Sequence, residues 1–189
     1  RLLARVAGLS HRLEGLLREL QALEMIYEQG HVPEPAYIFK HAVIQDVAYN
    51  SLLVQRRKEL HRAVGHAIEE LYADRLAEHY AELAHHFFQA EEWHKAIDYS
   101  VQAGQRASAS FANIEAKAHY ARAVAAAGKL GSALAPATLA SLHESHGAVL
   151  TVLGEYETAA AEYERALDLV RGNGDRDCGM VGLLALWSV

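Results

Sequence analysis

The sequence predicts an all-α chain: a right-handed superhelix of stacked helical hairpins, entered through a segment with one short β-hairpin. Three observations carry that expectation. Alanine and leucine dominate, and proline occurs only at Pro33, Pro35 and Pro136. Alanine loses no side-chain entropy in a helix, whereas proline breaks a helix interior. From His41 onward apolar residues recur at helical spacing with little interruption. One residue template then appears three times in the second half of the chain.

Taken in order, Ser10 to about Leu23 carries Leu13, Leu16, Leu17 and Leu20 at helical spacing, with Ser10 as its N-cap. Two β-prone runs follow, Met25 to Gly30 and Tyr37 to His41, around a turn containing proline, and they read as a hairpin. Helix, hairpin, helix is the back half of a winged-helix unit. Val43, Ile44, Val47, Ala48 and Leu52 then form one apolar stripe, and Leu60, Val64, Ala67, Ile68 and Leu71 the next. A helix is expected over about 76–91.

The three template copies are Trp93, Ala96, Ser100, Ala103; then Asn113, Ala116, Tyr120, Ala123; then Tyr156, Ala159, Tyr163, Ala166. Each group falls on one helix face, where its alanines let a neighbouring helix approach closely. The pattern is similar to the second helix of a tetratricopeptide (TPR) hairpin. Gly147 and Gly154 mark the matching first helix of the last copy. The copies are 20 and then 43 residues apart rather than evenly spaced, and the first step implies one helix shared by two successive pairs. Residues 128–135 read as a loop, with Pro136 in the first turn of the next helix. The organisation expected is 1–55 as the end of a winged-helix, ATPase-associated domain, 56–75 as a connecting helix, and 76–189 as TPR-like repeats.

Composition narrows the functions. The formal charge is −6, and residues 1–75 balance ten basic against ten acidic side chains, so the repeats hold the whole excess. An acidic surface is a poor match to a phosphate backbone, which makes nucleic acid an unfavoured partner. The single cysteine, Cys178, excludes an internal disulfide and multi-cysteine metal sites, and fits a reducing cytoplasm. No apolar run is long enough to span a membrane. The chain opens on Arg1-Leu2-Leu3 and closes on Leu183-Leu184-Ala185-Leu186-Trp187, as if inside helices, which suggests a piece of a longer protein.

The run from Tyr37 to Tyr49, YIFKHAVIQDVAY, followed by Leu52-Leu53, Arg56-Arg57 and Leu60-His61, carries a more specific likeness. It resembles the junction between ATPase module and TPR region in bacterial STAND/AAA-type signalling ATPases, many of them fused to a class III adenylate or guanylate cyclase domain. Ala96-Ile97 and the run Ala103 to Ala107 extend it, so the likeness covers about residues 10–127. It implies ATP or ADP with Mg bound by an ATPase module upstream in the parent protein. It also places His41 where the family carries the histidine of a Met-His-Asp motif near the ADP phosphates. Ala42 stands in place of the family's aspartate. An imidazole donating to a phosphate oxygen can report which nucleotide is bound; the plainer role for His41 is to end a strand and cap a helix. No Walker A loop and no cyclase metal-binding aspartates occur in the chain, so no catalytic residue and no cofactor of its own are expected.

Other constellations read as structural. The histidine group His79, His85, His86 and His94, with His61 and His66, lacks the i, i+4 spacing of metal-binding helices. His143 and His146 share a face where a hairpin packs its partner helix. Cys178 sits among Gly172, Gly174 and Gly179 as a free loop thiol. Arg56, Arg57 and Arg62 form a basic cluster, either a solvated turn or a contact to the ATPase module or to the acidic repeats. Tyr80, Phe87, Trp93, Tyr99, Tyr120, Tyr156 and Tyr163 read as inter-helix packing, with one or two lining a groove for a protein or peptide partner.

The function these features favour is a regulatory interaction scaffold that couples partner binding to an upstream ATPase. A TPR adaptor that only recruits a partner is the first rival, and a winged-helix DNA-binding regulator the second.

Overall fold

The computed structural model describes residues 1–7, 12–30 and 35–172. Among them are nine α-helices and one two-stranded sheet: α1 (Leu2–Ala7), α2 (Leu13–Ala22), β1 (Ile26–Gln29), β2 (Ala36–Phe39), α3 (Ala42–Ser51), α4 (Val54–Leu71), α5 (Tyr80–Gln89), α6 (Trp93–Ala109), α7 (Asn113–Leu130), α8 (Pro136–Val152) and α9 (Tyr156–Gly172). The chain is therefore mostly helical, as its alanine and leucine content predicts. Two compact units divide it, Arg1–Asp74 and a second beginning at Arg75.

In the first unit β1 and β2 pair antiparallel, with Ile26 opposite Phe39 and Gln29 opposite Ala36. The hairpin expected from the two β-prone runs is present; Pro33, expected in the turn, lies outside the described residues. So does Ser10, the expected N-cap. The helix after it starts at Leu13, behind Arg12, which makes no side-chain capping bond. The α1 helix lies along α4, and an ion pair of 2.6 Å joins Arg5 to Glu70. Lys40, just past β2, returns to the residues before β1: its backbone N–H donates to Met25 O, and its ammonium meets Glu24 at 2.6 Å. That bond, with the charge of Lys40, holds the Glu24 carboxyl below its ordinary pKa.

In the second unit each helix from α5 to α9 packs on the next. α6 packs on both α5 and α7, as the uneven template spacing implies. Leu83, Ala84 and Phe87 of α5 and Ala96, Ile97 and Ser100 of α6 are buried, and Phe87 stacks on Tyr99 at 5.6 Å. Two expectations need correction. The helix expected over 76–91 is a 3-10 segment, Ala73–His79, kinked at Arg75, followed by α5 from Tyr80. Gly128 is no loop residue: the run of alanines before it carries α7 on to Leu130, and the chain turns only at Gly131, whose φ is +54°. Pro136 does open α8, where its missing N–H leaves no hydrogen bond unmade.

The turns before α6, α7 and α9 share one construction. Glu91, Phe111 and Gly154, each two residues ahead of the new helix, have φ of +59°, +61° and +77°. The next residue donates back across the turn: Glu92 N–H to Phe87 O, Ala112 N–H to Ala107 O, and Glu155 N–H to Leu150 O, at 3.0, 2.9 and 2.9 Å. This is the Schellman cap, in which a left-handed residue closes a helix and re-aims the chain. Glycine fits that conformation; glutamate and phenylalanine are strained in it by about 1–2 kcal/mol. Phe111 is also almost wholly exposed, so little packing opposes its replacement. Phe111→Gly is expected to raise stability by about 0.5–1 kcal/mol, after the added freedom of the unfolded chain is deducted. Urea unfolding checks it; an unchanged or lower midpoint would contradict the strained-turn account.

Candidate functional site

A second regularity sits on the template. Gly104 of α6 lies sixteen residues before Tyr120 of α7, and Gly147 of α8 sixteen before Tyr163 of α9. A Cβ at Gly104 would stand 2.9 Å from the Tyr120 ring, and one at Gly147 3.1 Å from the Tyr163 ring. Each glycine is the flat on which the partner tyrosine lies. Ala96, Ala103, Ala116, Ala123, Ala159 and Ala166 are all buried, and Trp93 is half-buried, edge-on to Phe88 at 5.5 Å. Tyr156 differs from its expected packing role. It is the first residue of α9, beyond the closely packed part of the hairpin, and remains mostly exposed.

The α7 helix packs against both α6 and α8, and between those two helices runs a groove of about 620 Å³. Ile97, Asp98, Val101 and Gln102 of α6 line one side, and Ala137, Thr138, Ser141 and Leu142 of α8 the other. Ile97 and Leu142 are buried and give it an apolar floor, while Asp98, Thr138 and Ser141 are exposed on its rim. Such a surface suits a peptide that places an apolar side chain on the floor and a basic group against Asp98. None of the aromatic residues singled out in the sequence lines it. A smaller polar concavity of about 250 Å³ involves Tyr80, Arg106 and His119, and Arg106 donates to Ala77 O at its edge.

The α8–α9 hairpin holds a buried charged group. His143 Nδ1 lies 2.5 Å from Glu162 Oε2, His146 Nδ1 lies 3.5 Å from the same oxygen, and Arg165 donates to Oε1 at 2.6 Å. Burial pushes the Glu162 carboxyl up, but the His143 hydrogen bond and the positive charge of His143, His146 and Arg165 outweigh it, leaving the net pKa below the ordinary value. Neither nitrogen of His146 has a hydrogen-bond partner among the described residues. The helical spacing of the two histidines was visible in the sequence. The carboxylate facing them was not, although Glu162 directly precedes a template tyrosine and so belongs near the packed face of α9. Elsewhere, burial and the charge of Arg122 hold His85 and His119 below the ordinary imidazole value, Glu115 opposing at His119. Among the described residues no group of three or more His, Cys, Asp or Glu is arranged to hold a metal ion.

In the first unit His41 is exposed at the N-cap position of α3, in extended conformation, and its ring makes no capping bond. Its carbonyl accepts the first α3 bonds, from the Ile44 and Gln45 N–H groups. Arg56 pairs with Glu59 at 3.1 Å. Arg57 donates to Asn50 at 3.3 Å and lies 5.0 Å from the Tyr49 ring centre, while the Tyr49 hydroxyl meets His61 at 3.0 Å. The Arg57 and His61 contacts tie the first two turns of α4 to the end of α3. Arg62 is exposed one turn further on. Cys178 lies outside the described residues. No helix among the described residues is long and apolar enough to cross a membrane.

No protein-family model, no curated protein and no solved structure matches this chain.

Proposed function

We propose that the chain is the partner-binding, regulatory part of a STAND/AAA-type signalling ATPase, working in the cytoplasm. On this reading the helices from α5 onward are TPR-like hairpins of a right-handed superhelix. They bind a protein or peptide segment in the groove between α6 and α8. Residues 1–55 end a winged helix, and the hinge over about 37–75, with α4 as the connecting helix, passes occupancy of the groove to the nucleotide, ATP or ADP with Mg, held by an upstream module. By the same family likeness, His41 is the residue that would touch that nucleotide. Catalysis then belongs to the parent protein, as ATP hydrolysis or cyclic-nucleotide synthesis.

The observation that carries this reading is the repeated hairpin construction: the same left-handed turn before α6, α7 and α9, and the same glycine-on-tyrosine contact in the α6–α7 and α8–α9 pairs. A fold of like units stacked in a row leaves a continuous face between them, and that face is where repeat proteins recognise partners. Coupling further requires that the partner bind two states of the parent with different affinity.

Selecting a displayed peptide library against the chain tests the binding half. Peptides with an apolar residue beside a basic one are expected. Ser141→Trp, which fills the groove, and Asp98→Lys, which reverses its charge, should each weaken them at least about tenfold, or about 1.4 kcal/mol. Selected peptides that bind both variants as tightly as the original would remove the groove from the proposal.

A further inference from the structure

The α3 helix buries none of its residues. Val43 and Val47, one turn apart, are 70% and 65% exposed, and Leu53 and Val54 at the α3–α4 junction are 79% and 58% exposed. A helix of ten residues is marginal in water by itself and takes its stability from the apolar face it covers. This one presents that face to solvent. Its border is basic: residues 42–62 carry Arg56, Arg57, Lys58 and Arg62 against Asp46 and Glu59. The Arg57 bonds to Asn50 and the Tyr49 ring hold the basic turn beside α3.

The second unit bears a patch of the opposite kind. Phe111, Ile114, Val152 and Tyr156 are 87%, 77%, 68% and 59% exposed. They lie at the α6–α7 and α8–α9 turns, which adjoin. Ala112 and Leu153 pack on one shared cluster, and Lys117 reaches from α7 to Glu155 at 2.7 Å. Here the bordering charges are acidic on balance, Glu115, Glu155 and Glu157 against Lys117, in the half of the chain that holds the whole −6 excess. Phe111 is held there in a left-handed conformation that glycine would adopt without strain.

We infer that these two faces are the halves of one interface, and that the basic-rimmed α3 face of one copy docks on the acidic-rimmed hairpin turns of a second copy. Each apolar centre then leaves water, and the rims meet with opposite charge, the arrangement that gives protein contacts their orientation. Because the two patches differ, the contact is head-to-tail, and a bound pair leaves one face of each kind open at its ends. The inference stands apart from the signalling-ATPase reading, since it uses only the exposed faces and their charges.

Sedimentation equilibrium of the whole chain tests it. Average mass should rise with loading between about 10 μM and about 1 mM, the range of small transient interfaces, and fall back as salt screens the rims. Val47→Asp and Ile114→Asp should each give a monomer. Both positions are exposed, so both variants should melt with the original chain. Mixed one to one, they should form a dimer that grows no further, because only one intact face of each kind remains. A chain monomeric throughout would overturn the inference. So would an Ile114→Asp variant that still dimerises by itself, which would mean α3 pairs with α3, or variants that fail to complement. Binding to vesicles of phosphatidylserine and phosphatidylcholine, lost in Val47→Asp while the chain stays monomeric, would assign the α3 face to a membrane surface instead.

Discussion

Gly104→Leu is expected to destabilise the second unit by about 3 kcal/mol or more, and Gly147→Leu by a similar amount. At Gly104 even a Cβ would stand 2.9–3.0 Å from three atoms of the Tyr120 ring, and the rest of a leucine has no space to enter. The ring cannot easily yield, because Tyr120 is itself buried among Ala107, Ala116 and Val149. Alanine at position 104 should do less harm, since it gains about 1 kcal/mol of helix propensity against the close contact. The diagnostic is the pair. Tyr120→Ala leaves a cavity, and Gly104→Leu opposite it fills part of that space, so the double variant should be more stable than the sum of the single losses allows. Urea unfolding of the four proteins checks this, and additive losses would show that glycine and tyrosine do not bear on each other.

Glu162→Leu is expected to cost about 2–4 kcal/mol, because it leaves the buried His143 without its acceptor and removes the counter-charge of Arg165. Replacing His143 by leucine as well should recover part of the loss, since a donor no longer stands unmet. The same group predicts a response to acid. Glu162 has its pKa lowered by folding, so the folded chain binds fewer protons there. Its contribution is present above the unfolded carboxyl value near 4.5 and is lost as pH falls through the lower folded value. His85 and His119 act in the same direction but earlier. Their folded values lie below 6.5, so their contribution is full above that pH and declines beneath it. The melting temperature should therefore fall in two stages, the first removed by His85→Gln with His119→Gln and the second reduced by Glu162→Leu, Glu24 acting in the same acid window. A melting temperature that rises on acidification would contradict these assignments.

The parts of the fold legible in the sequence were those written in local spacing. Trp93, Asn113 and Tyr156, the first residues of the three template copies, are the residues at which α6, α7 and α9 begin. The two β-prone runs gave the hairpin. What stayed hidden depended on conformation or on distance along the chain. Glycine announces a left-handed turn at Gly154, but the same turn is made by Glu91 and Phe111, which carry no such signal. Val43 and Val47 read as an ordinary apolar stripe, and only their exposure sets α3 apart. The groove is formed by α6 and α8, which are brought together by packing on α7 and share no motif. Glu162 is hidden from a sequence reading because a charge beside a packing tyrosine looks like a solvated neighbour until the histidines of α8 are placed against it.

Amide hydrogen exchange of the chain, with and without a selected peptide, bears most directly on the central claim that the helical repeats are a binding scaffold. The account predicts slower exchange along α6 and α8 on binding, largest near Val101 and Ser141, and little change at the α6–α7 and α8–α9 turns. Protection confined to those turns or to α3, with α6 and α8 unaffected, would contradict it.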